Sequence, residues 1–166
     1  EAAFQEHRID LGLVEGICRV PNLRYTTFLQ DELVAVVHTG SKLSLPDEIT
    51  PEDLSRIPLV LRERGSGTLD VFERALSEHN MKLSSLNVLL YLGSTESIKL
   101  FLEHTDCIGI VSIRSISREL LSGTFRVIEI KGMPMLREFC FAQPQGQESG
   151  LSQVLMQFAM HHNKKL

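Results

Sequence analysis

The sequence predicts an α/β protein in which a parallel sheet is covered by helices on both faces. Three short apolar strands, at residues 58–62, 87–92 and 107–111, are each followed by a turn and then by a helix with apolar residues at helical spacing. Strands that are apolar throughout are typical of sheets buried on both faces. Their alternation with amphipathic helices indicates parallel βα units.

The helices of these three units are predicted from apolar stripes and from their end signals. The first stripe follows the turn at residues 63–68, the second follows residues 93–95, and Gly123 is expected to end the third helix. The stripes consist of Leu69, Phe72 and Leu76; of Ile98, Phe101 and Leu102; and of Ile113, Ile116 and Leu120.

The first part of the chain is predicted to contribute two strands and a short helix. The strands lie at residues 10–15 and 32–38. Thr50, Pro51 and Asp53 then combine an N-cap, a proline at the first helical position and an acid at the third, which is a strong helix start.

The last part of the chain has a different pattern. Residues 125–130 and 137–142 alternate between apolar and polar, as half-buried strands do. A final helix is expected to bury one apolar stripe, made of Leu151, Val154, Leu155, Phe158 and Ala159.

Composition excludes several classes of function. The chain has 166 residues and a formal net charge of −4, and its basic residues are scattered, so this segment should not bind DNA by itself. No apolar run reaches the roughly 18 residues of a membrane span. Cys18, Cys107 and Cys140 are too widely spaced to indicate a disulfide framework, and they are expected to be buried free thiols in a cytoplasmic protein.

Two turns carry the residues that we expect to bind a ligand. Each joins the carboxyl end of an apolar strand to a helix start, where unpaired N–H groups carry a partial positive charge and ligands of open α/β sheets bind. Their glycines permit a close approach to the backbone, and their hydroxyls can donate to an oxyanion, so together they predict an anion site. The alternative interpretation is that these hydroxyls only cap helices, and the sequence favours it as much as ligand binding. The candidate residues are Arg64, Gly65, Ser66, Gly67, Thr68, Gly93, Ser94 and Thr95.

No catalytic or metal site is predicted. The glycines around Ser66 adjoin it directly, whereas a nucleophile elbow needs them two residues away, and the histidines lack ligand spacing. Glu15 and Glu63 both end strands, where carboxylates are more often solvated or paired with arginine than catalytic. Arg62 and Arg64 share one face of an extended segment. Two roles are possible for both residues: contact with an anionic ligand, or a plain surface ion pair. No cofactor is expected.

Five segments, in this order, resemble the effector domain of LysR-type transcriptional regulators. They are IDLGLVEG (residues 9–16), DELVAVVHTGSKL (31–43), ITPEDLSRIPLVLRERGSGT (49–68), LGSTESIK (92–99) and CIGIVS (107–112). The resemblance implies a type II periplasmic-binding-protein fold, in which two α/β subdomains are joined by two crossover segments and a small effector binds between them.

The resemblance also implies a division of the chain. Residues 1–32 and 113–166 would form subdomain I, which lacks its first strand and helix, and residues 33–112 would form subdomain II. The crossovers would lie near residues 28–34 and 113–117. The family's DNA-binding winged helix-turn-helix is absent, so DNA would be a partner only through that missing domain.

The expected function is therefore ligand sensing by a transcriptional regulator, with a small anion as effector and no membrane partner. Two alternatives share the fold: a solute-binding protein of a transporter, and an enzyme such as a prephenate-dehydratase-like protein. The apolar strand at residues 10–15 would lie beside the missing first strand, so its open edge is expected either to pair with another chain or to be covered by a swapped or disordered segment. The protein is expected to be a homo-oligomer.

Overall fold

The computed structural model describes residues 4, 9–15, 20–146 and 150–163. The chain divides into two compact units: a first unit of Glu1–Gln30 with Arg137–Leu166, and a second unit of Asp31–Leu136. The strands are β1 (Gly12–Glu15), β2 (Leu23–His38), β3 (Glu48–Ile49), β4 (Leu59–Arg62), β5 (Val88–Leu92), β6 (Ile108–Ser112), β7 (Phe125–Ile130) and β8 (Met135–Pro144). The α-helices are α1 (Gly67–Glu78), α2 (Thr95–His104), α3 (Ser117–Leu121) and α4 (Gly150–Asn163).

The sheet of the second unit has the order β3-β7-β2-β6-β4-β5. β4 is parallel to both β5 and β6, as the three βα units predicted. β2 joins this group antiparallel to β6 and to β7, so the sheet is mixed rather than wholly parallel. The predicted α/β fold is confirmed, with helices on both faces.

Two apolar clusters show how those faces are covered. On β2, Leu33 and Ala35 belong to one cluster while Val34 and Val36 belong to the other. Successive side chains of a strand point to opposite faces, so the two clusters lie on opposite sides of the sheet. The predicted stripe of α1 packs in the first cluster, and Ile98 and Leu102 of α2 pack in the second.

The helix starts agree with the local signals in the sequence. Asp53 accepts hydrogen bonds from the backbone N and from Oγ1 of Thr50, both at 2.9 Å, at the head of a 3₁₀ helix, Pro51–Ser55. Gly123, with φ 72°, follows the end of α3. Within the described residues, no helix has both the length and the apolarity to cross a membrane.

The described part of the first unit includes β1, parts of β2 and β8, and α4. β8 lies between β1 and β2, and the ring centres of Phe28 and Phe141 are 4.9 Å apart. β1 pairs antiparallel with β8, from Gly12 opposite Ala142 to Glu15 opposite Phe139. No other strand of the described chain pairs with β1, which leaves its second edge open there.

The structure corrects the prediction that the apolar stripe of α4 is buried. We expected it to be buried, but Leu151, Val154, Leu155 and Phe158 are 54–79% exposed. Ser152, on another side of the helix, is buried instead. The helix therefore packs by a less apolar side, because no described element covers the stripe.

β5 is also more exposed than its sequence predicted. Its run of apolar residues suggested burial on both faces, yet Leu89, Leu90 and Tyr91 are 39–46% exposed. The reason is its position at the end of the sheet, where it pairs only with β4 among the described strands.

The chain passes twice between the two compact units. The chain leaves the first unit between Gln30 and Asp31, inside the expected crossover at residues 28–34. It returns between Leu136 and Arg137, and β7 pairs with β2 and β3 within the second unit. The division into subdomains, with a second crossover near residues 113–117, stays a prediction.

Cys107 and Cys140 are buried and are not joined in a disulfide among the described residues, as expected, whereas Cys18 lies outside the described residues. Burial raises the pKa of the Cys107 thiol to about 11, so this sulfur is an unreactive core group.

Candidate functional site

The structure brings the two candidate turns together. They follow β4 and β5, which are neighbours with Arg62 opposite Leu92. The backbone N of Glu63 donates to the carbonyl O of Leu92 at 3.1 Å, where the two turns begin. Both turns therefore lie at the carboxyl edge of the second unit's sheet, which is the edge where α/β proteins bind ligands.

The first turn is shaped by a glycine and capped by a serine. Gly65 has φ 85°, a left-handed conformation that favours glycine. Ser66 is the N-cap of α1, and its Oγ accepts from the backbone N of Leu69 at 3.2 Å. Ser66 and Thr68 are both buried, at 8% exposure, while Arg64 and Gly65 are exposed. The accessible groups of this turn are thus Arg64 and the backbone around Gly65.

The second turn has the same design but leaves a hydroxyl accessible. Ser94 is the N-cap of α2, and its Oγ accepts from the backbone N of Ser97 at 3.1 Å. Thr95, the first residue of the helix, is half-buried and forms no side-chain hydrogen bond within the part of the chain that the structure describes. A Cβ placed on Gly93 would meet no atom within 4 Å, so the backbone there borders open space.

Capping is therefore the observed contact of Ser66 and Ser94. Each serine satisfies one of the orphan N–H groups of its helix. This supports the structural interpretation for these two hydroxyls, whereas the hydroxyl of Thr95, at the start of α2, has no hydrogen bond within the described residues.

Arg62 links the two turns. Its Nε and Nη2 lie 2.8 and 2.9 Å from the carboxylate oxygens of Glu63, and Nη2 is 3.4 Å from the carbonyl O of Gly93. The hydrogen bonds from Arg62 hold the pKa of the Glu63 carboxyl below its ordinary value. The sequence left two interpretations of Arg62 open, contact with an anionic ligand and a surface ion pair. The structure shows the ion pair.

Arg64 differs from Arg62 in its charge environment. It is exposed, and its guanidinium forms no ion pair with any described residue. By contrast, the charge of Arg62, two residues before Arg64, is neutralised by Glu63. Arg64 is therefore an exposed and unneutralised cation in the first of the two turns.

Asp31 and Ser112 are polar residues at the same sheet edge that the sequence analysis did not propose. Ser112 ends β6, the strand next to β4, and its Oγ donates to Oδ1 of Asp31 at 2.9 Å. Asp31 is only 6% exposed. The serine at the end of the strand was a visible signal, but the carboxylate that it meets lies 81 residues away in the sequence.

The strand-end carboxylates that might have suggested acid–base chemistry are both paired with arginine. Glu15 contacts Arg137 at 2.8 Å, as Glu63 contacts Arg62. Among the described residues, no cluster of three or more His, Cys, Asp or Glu side chains is placed to hold a metal ion.

A cavity of about 460 Å³ also lies in the second unit, away from these turns. It is bordered by β2, by β7 and by the link from β7 to β8. None of the eight predicted site residues lines it. The candidate site is accordingly an open edge, and this cavity is a separate feature of the same unit.

Comparisons with known proteins agree with this architecture. A family model described as the LysR substrate binding domain matches residues 1–164. An Escherichia coli K12 protein described as the uncharacterized HTH-type transcriptional regulator YeiE is 33% identical over 128 residues, which cover 77% of this chain and 42% of YeiE.

Solved structures show the same fold. The regulatory domain of Synechocystis PCC6803 CcmR in complex with 2-PG superposes with a TM-score of 0.80 at 24% identity, over 99% of this chain and 78% of that one. The effector-binding domain of QuiR in complex with shikimate superposes with a TM-score of 0.75 at 19% identity, over 99% and 76% of the two chains.

The sheet, its helices and these likenesses define a type II periplasmic-binding-protein-like α/β fold. With its match along residues 1–164, the chain belongs to the LysR substrate-binding domain family. It spans less than half the length of the relative YeiE.

Proposed function

We propose that this chain is the effector-sensing part of a LysR-type transcriptional regulator and that it binds a small anion at the edge formed by the two turns. The observation that carries the proposal is the pairing of an unneutralised cation, Arg64, with two adjacent helix starts. The proposed site consists of Arg64, Gly65, Ser66, Gly67, Thr68, Gly93, Ser94 and Thr95.

The proposed roles follow from the contacts. Arg64 supplies the charge, Thr95 supplies a free hydroxyl, and the backbone N–H groups at the starts of α1 and α2 supply further donors. Ser66 and Ser94 hold the two helix starts in place, and Arg62 fixes the spacing of the turns through Glu63 and Gly93. The shikimate bound by QuiR is a small carboxylate, which is the class of ligand that such donors favour.

In the intact regulator, effector binding would shift a conformational equilibrium and so change the contacts that a separate domain makes with DNA. We propose this shift as the way in which effector binding changes transcription. We also propose that the protein is cytoplasmic. The family match favours this function over a transport protein or a prephenate-dehydratase-like enzyme. The arginine-paired state of Glu15 and Glu63 also offers little support for an acid–base enzyme.

We also propose that the protein acts as a homo-oligomer. Two apolar strands with open edges support this: β1, on which Leu13 is 55% exposed, and β5, which exposes Leu90 by 42%. Exposed apolar edges are templates for pairing with a second chain.

A thermal-shift screen of oxyanions, small carboxylates and amino acids tests the ligand proposal, because a compound that binds only the native state raises its stability. The Arg64→Met variant should lose most of the shift that the best anion gives. Arg74→Met is the matched control. Arg74 is exposed on α1, and its substitution removes the same charge at a position outside the proposed site. An equal loss in both variants, or none in either, would contradict a site at Arg64.

A further inference from the structure

The cavity of the second unit forms where two strands stop pairing. β2 and β7 are paired from Ala35 opposite Ile128 to His38 opposite Phe125. On the N-terminal side of Ala35, β2 and β7 form no further pairs. The chain turns after Ile130 and begins β8 at Met135. The cavity of about 460 Å³ occupies this interruption and lies wholly within the second unit.

Part of the cavity wall is formed by buried apolar side chains and is deformable. They include Leu33, Ile128 and Ile130 from the two strands, and Met133 and Met135 from the link, all at most 6% exposed. Methionine is unbranched and polarisable, so its side chain adapts to irregular ligands. Small-molecule sites typically occupy about 300–1,000 Å³, so the volume suits a compact apolar body.

The charged residues that line the cavity in the described part of the chain are both acidic. Glu32 and Glu129 line it and are exposed, and neither forms an ion pair with any residue that the structure describes. Among the described residues, no lysine, arginine or histidine lines the cavity. Lys131, which lies in the nearby link, is instead turned to Glu48 at 3.9 Å. The local charge therefore repels anions and attracts a cation.

We propose that this cavity is a second ligand site, which binds a small molecule with an apolar body and a single ammonium group. The body would lie between β2 and β7, against Met133 and Met135, and the ammonium would reach Glu32 and Glu129, whose strand positions alternate to the opposite face of the sheet. This ligand class is opposite in charge to the anion proposed for the two turns, and the site does not depend on that proposal. Its walls include β2 and the start of β8, the strands in which the chain passes between its two compact units.

The test uses 2-phenylethylamine as the probe, with 3-phenylpropionate as its anionic counterpart, in a titration followed by methionine-methyl NMR. The methyl signals of Met133 and Met135 should move with the amine, while those of Met81 and Met156, which do not line the cavity, stay in place. The carboxylate should cause no such movement. Shifts of equal size with both compounds, or no movement of Met133 and Met135 up to the solubility limit of the amine, would overturn the proposal.

A charge-matched pair of variants tests the role of the carboxylates. The double variant Glu32→Gln with Glu129→Gln should weaken amine binding by about fivefold, as expected for the loss of exposed ion pairs. The control, Glu78→Gln with Glu103→Gln, makes the same change in net charge at exposed helix positions outside the cavity and should bind as the parent does. Equal weakening in both double variants would show that only net charge matters and would overturn the site.

Discussion

Ser94 and Thr95 are neighbouring hydroxyl residues at the start of α2 with different contacts in the structure. Ser94 accepts a hydrogen bond from the helix backbone, whereas Thr95 has no hydrogen-bonding partner for its side chain among the described residues. The sequence identified both hydroxyls but could not separate these roles, because capping depends on which residue leaves helical geometry first. In the structure that residue is Ser94, with φ −154° and ψ 155°.

Substitution of each residue should separate stability from binding. Ser94→Ala removes the cap and should cost about 1 kcal/mol in the free energy of unfolding. Thr95→Val keeps both the cap and the side-chain volume, so it should change stability by less than about 0.5 kcal/mol and weaken anion binding. Urea denaturation and calorimetric titration with the best anion measure the two effects. Unchanged anion affinity in Thr95→Val would make Thr95 a structural residue only.

At the scale of elements, Lys99 joins α2 to the segment that follows β6. Its Nζ lies 2.5 Å from Oε1 of Glu119 and 3.2 Å from the carbonyl O of Ser115, with only 13% of the side chain exposed. Burial acts to lower the pKa of Lys99, but its hydrogen bonds to Glu119 and Glu96 outweigh burial and raise the pKa above 10.5. The hydrogen bond from Lys99 in turn lowers the pKa of Glu119 below 4.5.

Replacement of Lys99 should therefore destabilise the second unit. Lys99→Met leaves the Glu119 carboxylate without its cation, and Oε2 of Glu119 is already buried without a partner in the described chain, so we expect a loss of about 1–3 kcal/mol at pH 7. Glu119 has a lowered pKa in the folded state, so its contribution is present above its ordinary pKa of 4.5 and is lost as pH falls through the lowered value. The difference between Lys99→Met and the parent should thus shrink in acid.

Chemical denaturation at a series of pH values measures this difference. The double variant Lys99→Met with Glu119→Leu serves as the control, because it removes both charges and should recover part of the stability. A Lys99→Met variant as stable as the parent at pH 7 would show that the ion pair contributes nothing.

The βα units were predictable because their signals are local. Strand composition, the 3.6-residue apolar spacing and the caps at Ser66 and Ser94 lie within a few residues of one another. The exposure of β5 and of the α4 stripe was not predictable, since an apolar pattern does not reveal which element covers it. The same limit applies to the site: its turns were visible in the sequence, but the contacts of Arg62 with Gly93 and of Asp31 with Ser112 depend on strand order.

At the scale of the whole molecule, the open apolar edges of β1 and β5 predict association of the chain. A lysine placed on an exposed edge opposes strand pairing between chains. Leu13→Lys tests the edge of β1, and Leu90→Lys tests that of β5, at positions that are 55% and 42% exposed. Size-exclusion chromatography with light scattering should show a larger fraction of monomer in the variant at the edge that associates. A parent chain that remains monomeric at high concentration would contradict the proposal for both edges.

The central claim is that the chain senses a small anion at the two turns of its second unit. Amide NMR during titration with the best anion from the thermal-shift screen tests it most directly, because Gly65, Gly67, Gly93 and Thr95 supply backbone N–H reporters at the proposed site. The account predicts saturable shifts that are largest at these amides and much smaller in Arg64→Met than in Arg74→Met. Saturable binding with its largest shifts elsewhere, while these four amides stay in place, would contradict it.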